Sequence, residues 1–174
     1  WALIESIKDG KASAVGMATG AVAGLVGITP AAGFVSPASG MLIGAITSSI
    51  CFLSIKLKIK LSFDDSLDTF AVHGVGGTVG AILTGIFAKS ALISSHPAGL
   101  VLQEQGRIGL VLGQFQAVLI AYAIAAIGTF IIALVLKSLG CSFKVNERKE
   151  ELGLDISQHG EEAYGEQTGS PTTI

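Results

Sequence analysis

The chain has 174 residues, of which 50% are hydrophobic and 14% are charged, and its mean hydropathy is +0.67. Soluble domains carry about 25% charged residues, so this deficit is typical of a protein that faces lipid, where charges are costly. The net charge of −2 gives no indication of nucleic-acid binding.

Four apolar segments are long enough to cross a bilayer as helices, which takes about 20 residues. They are residues 12–28, 38–57, 66–88 and 109–138. The fourth segment is long enough to be tilted or to extend beyond the lipid. Residues 1–7 are predicted to be the end of an earlier helix. The chain is also predicted to be a piece of a longer protein, because Trp1 is not a start residue and no signal peptide precedes it.

These segments predict an all-α fold, a polytopic membrane helical bundle. A transmembrane domain is expected over residues 1–143 and a polar tail over residues 144–174, of which residues 165–174 are expected to be disordered. Lysine and arginine predict the orientation, because they accumulate on the cytoplasmic side. Nine lie on the side that carries the tail, and only Lys89 and Arg107 lie on the other. The tail is therefore predicted to be cytoplasmic.

Two kinds of residue are expected at the helix ends. Pro30 and Pro37 should end and restart helices, because proline lacks an N–H and clashes with the preceding turn. Asp65 is a candidate N-cap of the third span, with Asp68 near the capping-box position three residues later. Both aspartates are predicted to have structural roles.

Most of the 23 glycines lie inside the apolar segments, where small residues let helices approach closely. They form ridges that could either pack helices or line a narrow channel, and the sequence does not separate these uses. Cys51 and Cys141 have no metal-ligand spacing and are predicted to be free thiols.

His73 is the histidine inside the third span, about 12 Å from Asp65 if the intervening residues are helical. Such a residue commonly marks a pathway. The alternative is a neutral imidazole that hydrogen-bonds neighbouring helices together. Thr69 and Gly77, at i−4 and i+4, should share its face and leave room for a ligand or a narrow pore.

No catalytic set emerges, so an enzyme is not predicted. His96 and His159 are expected to be solvated, and neither has a partner at metal-binding spacing. Phosphate-binding and dinucleotide-binding fingerprints are missing from the sequence, and no cofactor or metal is predicted. No carboxylate pair lies within a span, which favours a passive pore over a proton relay.

Three stretches together resemble the ammonium transporter (Amt/MEP/Rh) family. Residues 64–77, DDSLDTFAVHGVGG, resemble its D-D-x-x-D-x-F-x-x-H-G-x-x-G signature. Residues 24–35, GLVGITPAAGFV, resemble a second family stretch, and residues 153–164, GLDISQHGEEAY, resemble its C-terminal motif G-L-D-x-x-x-H-G-E-x-A-Y. The stretches occur in the family's order and extend over most of the chain.

The resemblance implies a partial ammonium transporter fold: the end of helix seven, helices eight to eleven and the tail. It implies that His73 is the second of two histidines that line the family's pore. Thr69 and Gly77, which the helical spacing puts on the face of His73, are predicted to line the pore with it. Thr29 matches a position near the outer vestibule, and Asp68 matches a structural aspartate. The first pore histidine would lie outside this chain, so the chain alone is not expected to conduct.

The resemblance also implies partners and a location. It predicts ammonium or ammonia as substrate, a homotrimer in the plasma (cell inner) membrane in contact with lipid, and a PII-type regulator at the cytoplasmic face. An ammonium sensor on the same scaffold and a fragment that serves only in assembly are the alternatives.

Overall fold

The computed structural model describes residues 1–161, and within that range the chain is helical and contains no strand. Its α-helices are α1 (Ala2–Asp9), α2 (Ala14–Ile28), α3 (Pro37–Lys60), α4 (Gly76–Phe87), α5 (Ser90–Ile93), α6 (Pro97–Ser138) and α7 (Glu147–Glu151). A 3₁₀ turn follows α2 at Thr29–Ala31, and π-helical segments occupy Phe70–Val75 and Asp155–His159. The predicted all-α fold is confirmed.

Four helical segments are long and apolar enough to cross a membrane: Ala14–Ala31, Pro37–Lys60, Phe70–Phe87 and Pro97–Ser138. The structure thus has four candidate spans, the number that the sequence predicts, and the bounds of all four differ from the predicted ones. The second span continues to Lys60 because lysine is a good helix former and suits the negative end of a helix dipole. The third begins at Phe70 rather than at residue 66, because residues 65–68 form a turn.

The fourth span begins twelve residues before the predicted start at residue 109. The first turns of α6 contain polar residues, which lower the hydropathy of that stretch. The helix is kinked at Gly106, which connects these turns to the apolar part of α6. Gly106 has φ 68° and ψ −167°, a conformation open to glycine and strained for other residues. The region from Lys89 to Arg107, which lies between the third and fourth predicted spans, is therefore largely helical.

The chain divides into two compact units, Trp1–Ile124 and the part that starts at Ala125. In the first unit, α2 packs on α3 and on α4, and the π-helical turn Phe70–Val75 packs on α3. Ala23, Cys51 and Val72 form one buried cluster between these elements. In the second unit, the side chains of residues 125–138 are mostly exposed, which suits a helix that faces lipid or another protein surface.

Glycines bring the helix backbones of the first unit together. The backbones of Gly24 and Gly44 approach so closely that a Cβ on either would lie 3.7–3.8 Å from the other residue. A Cβ on Gly80 would lie 2.3 Å from the carbonyl oxygen of Gly27, which is too close for any side chain. The prediction that glycines pack helices is confirmed at these positions.

Arg107 forms hydrogen bonds with the C-terminal end of α4. Its Nη1 donates to the carbonyl oxygens of Gly85, Ile86 and Ala88, at 3.4, 3.0 and 2.6 Å. The last carbonyl groups of a helix have no partner within it. At the end of α4, Arg107 of α6 supplies the missing hydrogen bonds. Gly106, where the helical geometry of α6 is interrupted, directly precedes Arg107.

Removal of either of two adjacent hydroxyl groups of α3 should change the stability of the fold, and the two changes should be in opposite directions. Thr47 is fully buried and its Oγ1 has no hydrogen-bond partner among the described residues, whereas Ser48 donates to the carbonyl oxygen of Gly20 at 3.1 Å. An unsatisfied buried hydroxyl is destabilising, so we expect T47V to stabilise the fold by about 1 kcal/mol and S48A to destabilise it by a similar amount. Thermal unfolding midpoints in detergent would measure both. A lower midpoint for T47V would contradict this interpretation.

Candidate functional site

The turn before the third span is built around Asp65. Its two carboxylate oxygens accept the backbone N–H groups of Thr69 and Phe70, each at 2.9 Å. The carboxylate thus satisfies two donors that have no partner within the helix and lies at the positive end of its dipole. These contacts support the structural role predicted for Asp65.

The predicted capping-box geometry of Asp68 is wrong. Asp68 has φ 55°, in the left-handed region that is uncommon for residues other than glycine, and it precedes the helix instead of lying in its first turn. Its Oδ1 instead accepts from Lys58 Nζ at 2.5 Å, and the same ammonium donates to the carbonyl oxygen of Asp65. Lys58, which was not predicted to be a site residue, therefore ties the end of α3 to this turn.

Removal of the Asp65 carboxylate should weaken the start of the third span. We expect D65A to destabilise the protein by about 1 kcal/mol, the usual cost of losing an N-cap side chain. D64A is a matched control, because the exposed Asp64 makes no hydrogen bond or ion pair within residues 1–161. Equal thermal midpoints for D65A and D64A would show that the cap contributes nothing.

His73 lies in the π-helical turn Phe70–Val75. Single π-helical turns are rare and occur frequently at functional sites. His73 is exposed, and its imidazole makes no hydrogen bond or ion pair with any described residue. It lies in the first turn of its span, so the depth counted from Asp65 is not confirmed, because residues 65–68 are not helical.

The two sides of this span differ in packing. Ala71, Val72, Gly76 and Gly80 are buried against α2 and α3. Gly77 is different, because a Cβ built there would meet no atom within 4 Å. The structure thereby separates two uses of glycine that the sequence could not: one ridge packs helices, and Gly77 leaves space one turn after His73.

A hydroxyl pair lies beside the π-helical turn. Thr78 Oγ1 donates to the carbonyl oxygen of Gly74 at 2.8 Å and lies 2.8 Å from the Tyr122 hydroxyl. Tyr122 comes from α6, and its hydroxyl also lies 3.1 Å from the same carbonyl. Tyr122 was not predicted to be a site residue, although a tyrosine within an apolar span usually has a hydrogen-bond partner and could have been noticed on that ground.

The other predicted pore residues lie at different places. Thr69 is exposed, in the same turn of helix as His73. Thr29 lies in the 3₁₀ turn after α2, where its Oγ1 donates to the carbonyl oxygen of Leu25 at 2.7 Å. It follows Gly27, which packs on Gly80, and Gly80 is about 10 Å along the helix from His73. Thr29 is therefore not brought next to His73.

The remaining histidines are exposed, as expected. His96 Nδ1 accepts from the Ala98 N–H at 3.2 Å, and its ring meets the Phe34 ring edge-on with centroids 5.1 Å apart. His159 ends the second π-helical segment. Within residues 1–161, no group of three or more His, Cys, Asp or Glu residues could hold a metal ion.

The tail motif has a defined backbone over its described part. Gly153 and Gly160 have φ 88° and 69°, and they flank the π-helical segment Asp155–His159. Ser157 Oγ donates to the carbonyl oxygen of Lys149 at 3.0 Å, which connects this segment to α7. The end of the motif, residues 162–164, and the predicted disordered stretch 165–174 lie outside the described residues.

Comparison with known proteins identifies the family. The family model of the Ammonium Transporter Family matches residues 1–164. An ammonium transporter of Bacillus subtilis is 42% identical over 165 residues, covering 94% of this chain and 40% of the relative. Amt1 of Archaeoglobus fulgidus is 38% identical over 164 residues, covering 94% of this chain and 40% of that protein.

The fold agrees with this sequence relationship. The crystal structure of Saccharomyces cerevisiae Mep2 superposes with a TM-score of 0.67 at 35% identity, covering 98% of this chain and 39% of the Mep2 chain. The chain thus spans about 40% of the length of the relatives it matches. The apolar helices, the three motifs in the family's order and these matches together show that the chain is a multi-pass membrane protein that belongs to the ammonium transporter family.

Proposed function

We propose that this chain contributes a pore-lining helix to an ammonium transport pathway, and that His73 faces the transported species. The observation that carries the proposal is the open side of the third span: His73 is exposed and without a hydrogen bond in the described chain, and Gly77 next to it leaves space. An imidazole that served only to join the helices of this chain would be bonded to one of them.

The chemistry of imidazole suits the passage of ammonium nitrogen. A neutral imidazole carries one hydrogen-bond donor and one acceptor, so it can bind ammonium or ammonia in turn without adding a fixed charge. A carboxylate at this position in an apolar path would hold the cation instead of releasing it. Thr69 and Gly77 are proposed to line the same path, and Thr29 to lie nearer its outer end.

We also propose that residues outside this chain complete the path. Support comes from the 40% coverage of the relatives and from the exposure of His73, whose imidazole has no hydrogen bond among the described residues. The homotrimer, the plasma-membrane location, the cytoplasmic tail and the PII-type regulator stay predictions from the family resemblance. In the experiment below, an ammonium sensor or an assembly scaffold would fold without producing ammonium flux.

The test is transport by the complete protein that carries this chain, reconstituted in vesicles with a pH-sensitive dye inside. An inward gradient of ammonium chloride should change the internal pH faster than in protein-free vesicles. Potassium chloride at the same concentration serves as the matched control gradient, and a response to it equal to the ammonium response would contradict selective ammonium transport. A protein that folds and gives no ammonium-dependent signal would overturn the proposal.

A further inference from the structure

The hydrogen bonds at the Gly74 carbonyl connect α6 with the π-helical turn that contains His73. Among the described residues, the Tyr122 hydroxyl is the group of α6 that bonds to this turn and to Thr78. Arg107, the other bonded group of α6 on this span, contacts its opposite end. The Tyr122 contact is therefore placed where it can affect His73, one residue before Gly74.

The three short contacts cannot all be hydrogen bonds at once. Each hydroxyl has one hydrogen, so two donors serve the three pairs formed by Thr78 Oγ1, the Tyr122 hydroxyl and the Gly74 carbonyl oxygen. In each arrangement that uses both hydrogens, the carbonyl accepts at least one bond, and Tyr122 is bonded to it either directly or through Thr78. The pair thus holds the carbonyl in every arrangement.

A π-helical turn needs such support. It contains one residue more than the corresponding α-helical turn, and isolated π turns are rare. Each residue of an α-helix rotates the chain by about 100°. Relaxation of Phe70–Val75 to α-helical bonding would therefore rotate His73 relative to α4 and to the space at Gly77.

We propose that Tyr122 and Thr78 are positioning residues that hold the π-helical turn through the Gly74 carbonyl and thereby fix the direction of His73. The inference rests on the proposed transport function for its effect on flux. Its structural part, the support of the turn, is independent of transport. Neither residue is proposed to touch the transported species.

The structural part is tested by hydrogen–deuterium exchange in the complete protein. Y122F keeps the ring and removes the hydroxyl, and T78V removes the second hydroxyl with little change in shape. Both should speed exchange in the peptide that contains residues 70–78, whereas T78S should leave it as in the wild type. T19V is the matched control, because the one bond of Thr19 Oγ1 within residues 1–161 goes to the carbonyl oxygen of Val15 in its own helix. Unchanged exchange in Y122F and T78V would overturn the proposal.

The functional part uses the vesicle assay, normalised to folded protein. We expect Y122F and T78V to lower the maximal ammonium rate roughly fivefold, the factor that corresponds to one lost hydrogen bond, with an unchanged half-saturating concentration. T78S should retain the wild-type rate. Faster exchange with an unchanged rate would overturn the link to His73 while leaving the transport function standing. A wild-type protein without flux would instead overturn the proposed function, and the exchange data would still decide whether Tyr122 holds the turn.

Discussion

Replacement of Gly80 by alanine is expected to lower the thermal stability of the protein strongly, although it adds only one methyl group. A Cβ at this position would lie 2.3 Å from the carbonyl oxygen of Gly27, so α2 and α4 would have to separate. Overpacking of this kind costs about 1–3 kcal/mol, and a backbone contact cannot rotate away. We expect the loss to be at the upper end, measured as a thermal unfolding midpoint in detergent.

The same substitution at Gly77 is the matched control. Gly77 is on the same helix, and an added Cβ would meet no atom within 4 Å in the described chain. Because alanine favours a helix by up to about 1 kcal/mol relative to glycine, G77A should be neutral or stabilising. Similar midpoints for G80A and G77A would mean that the close approach of α2 and α4 is not a feature of the protein.

A larger side chain at Gly77 is expected to block ammonium flux without unfolding the protein. In G77L the new side chain would occupy the space one turn after His73, which we propose to be part of the path. If the added bulk costs the permeating species about 1.4 kcal/mol or more, the rate falls at least roughly tenfold. The measurement is the vesicle assay, normalised to folded protein, with the thermal midpoint recorded in parallel.

Two results would contradict this expectation. Wild-type flux through G77L would place the path elsewhere, since a narrow pore cannot accept a leucine without effect. Loss of flux together with a large fall in thermal midpoint would show that Gly77 is a packing glycine like Gly80. G77A is the graded intermediate and should retain more flux than G77L.

The helices could be predicted from hydropathy, whereas their ends could not. The spans of α2, α3 and α6 follow from long apolar runs, and Pro37, predicted to restart a helix, is the one predicted marker that coincides with a start among these three. The third span starts late because the left-handed conformation of Asp68 and its ion pair with Lys58 stop the helix. Such tertiary bonds are not visible in a local sequence pattern.

The candidate site could be predicted in part. His73 was identifiable as an ionisable residue in an apolar span. The family signature also contains a histidine at the matching position. The π-helical turn was not predictable, because residues 70–75 have no composition that distinguishes them from an α-helix. Tyr122 was missed because local sequence patterns do not show distant contacts, and its partner Gly74 lies 48 residues away in the chain.

The most direct test of the proposed pathway is the ammonium flux of H73A in vesicles that contain the complete protein. H96A is a suitable control, because His96 is also exposed but lies between α5 and α6 and is assigned no role in the path. We predict that H73A changes the ammonium rate or the selectivity against potassium, while H96A remains like the wild type and both proteins fold. Unchanged flux and selectivity in a folded H73A protein would contradict the proposal that His73 faces the transported species.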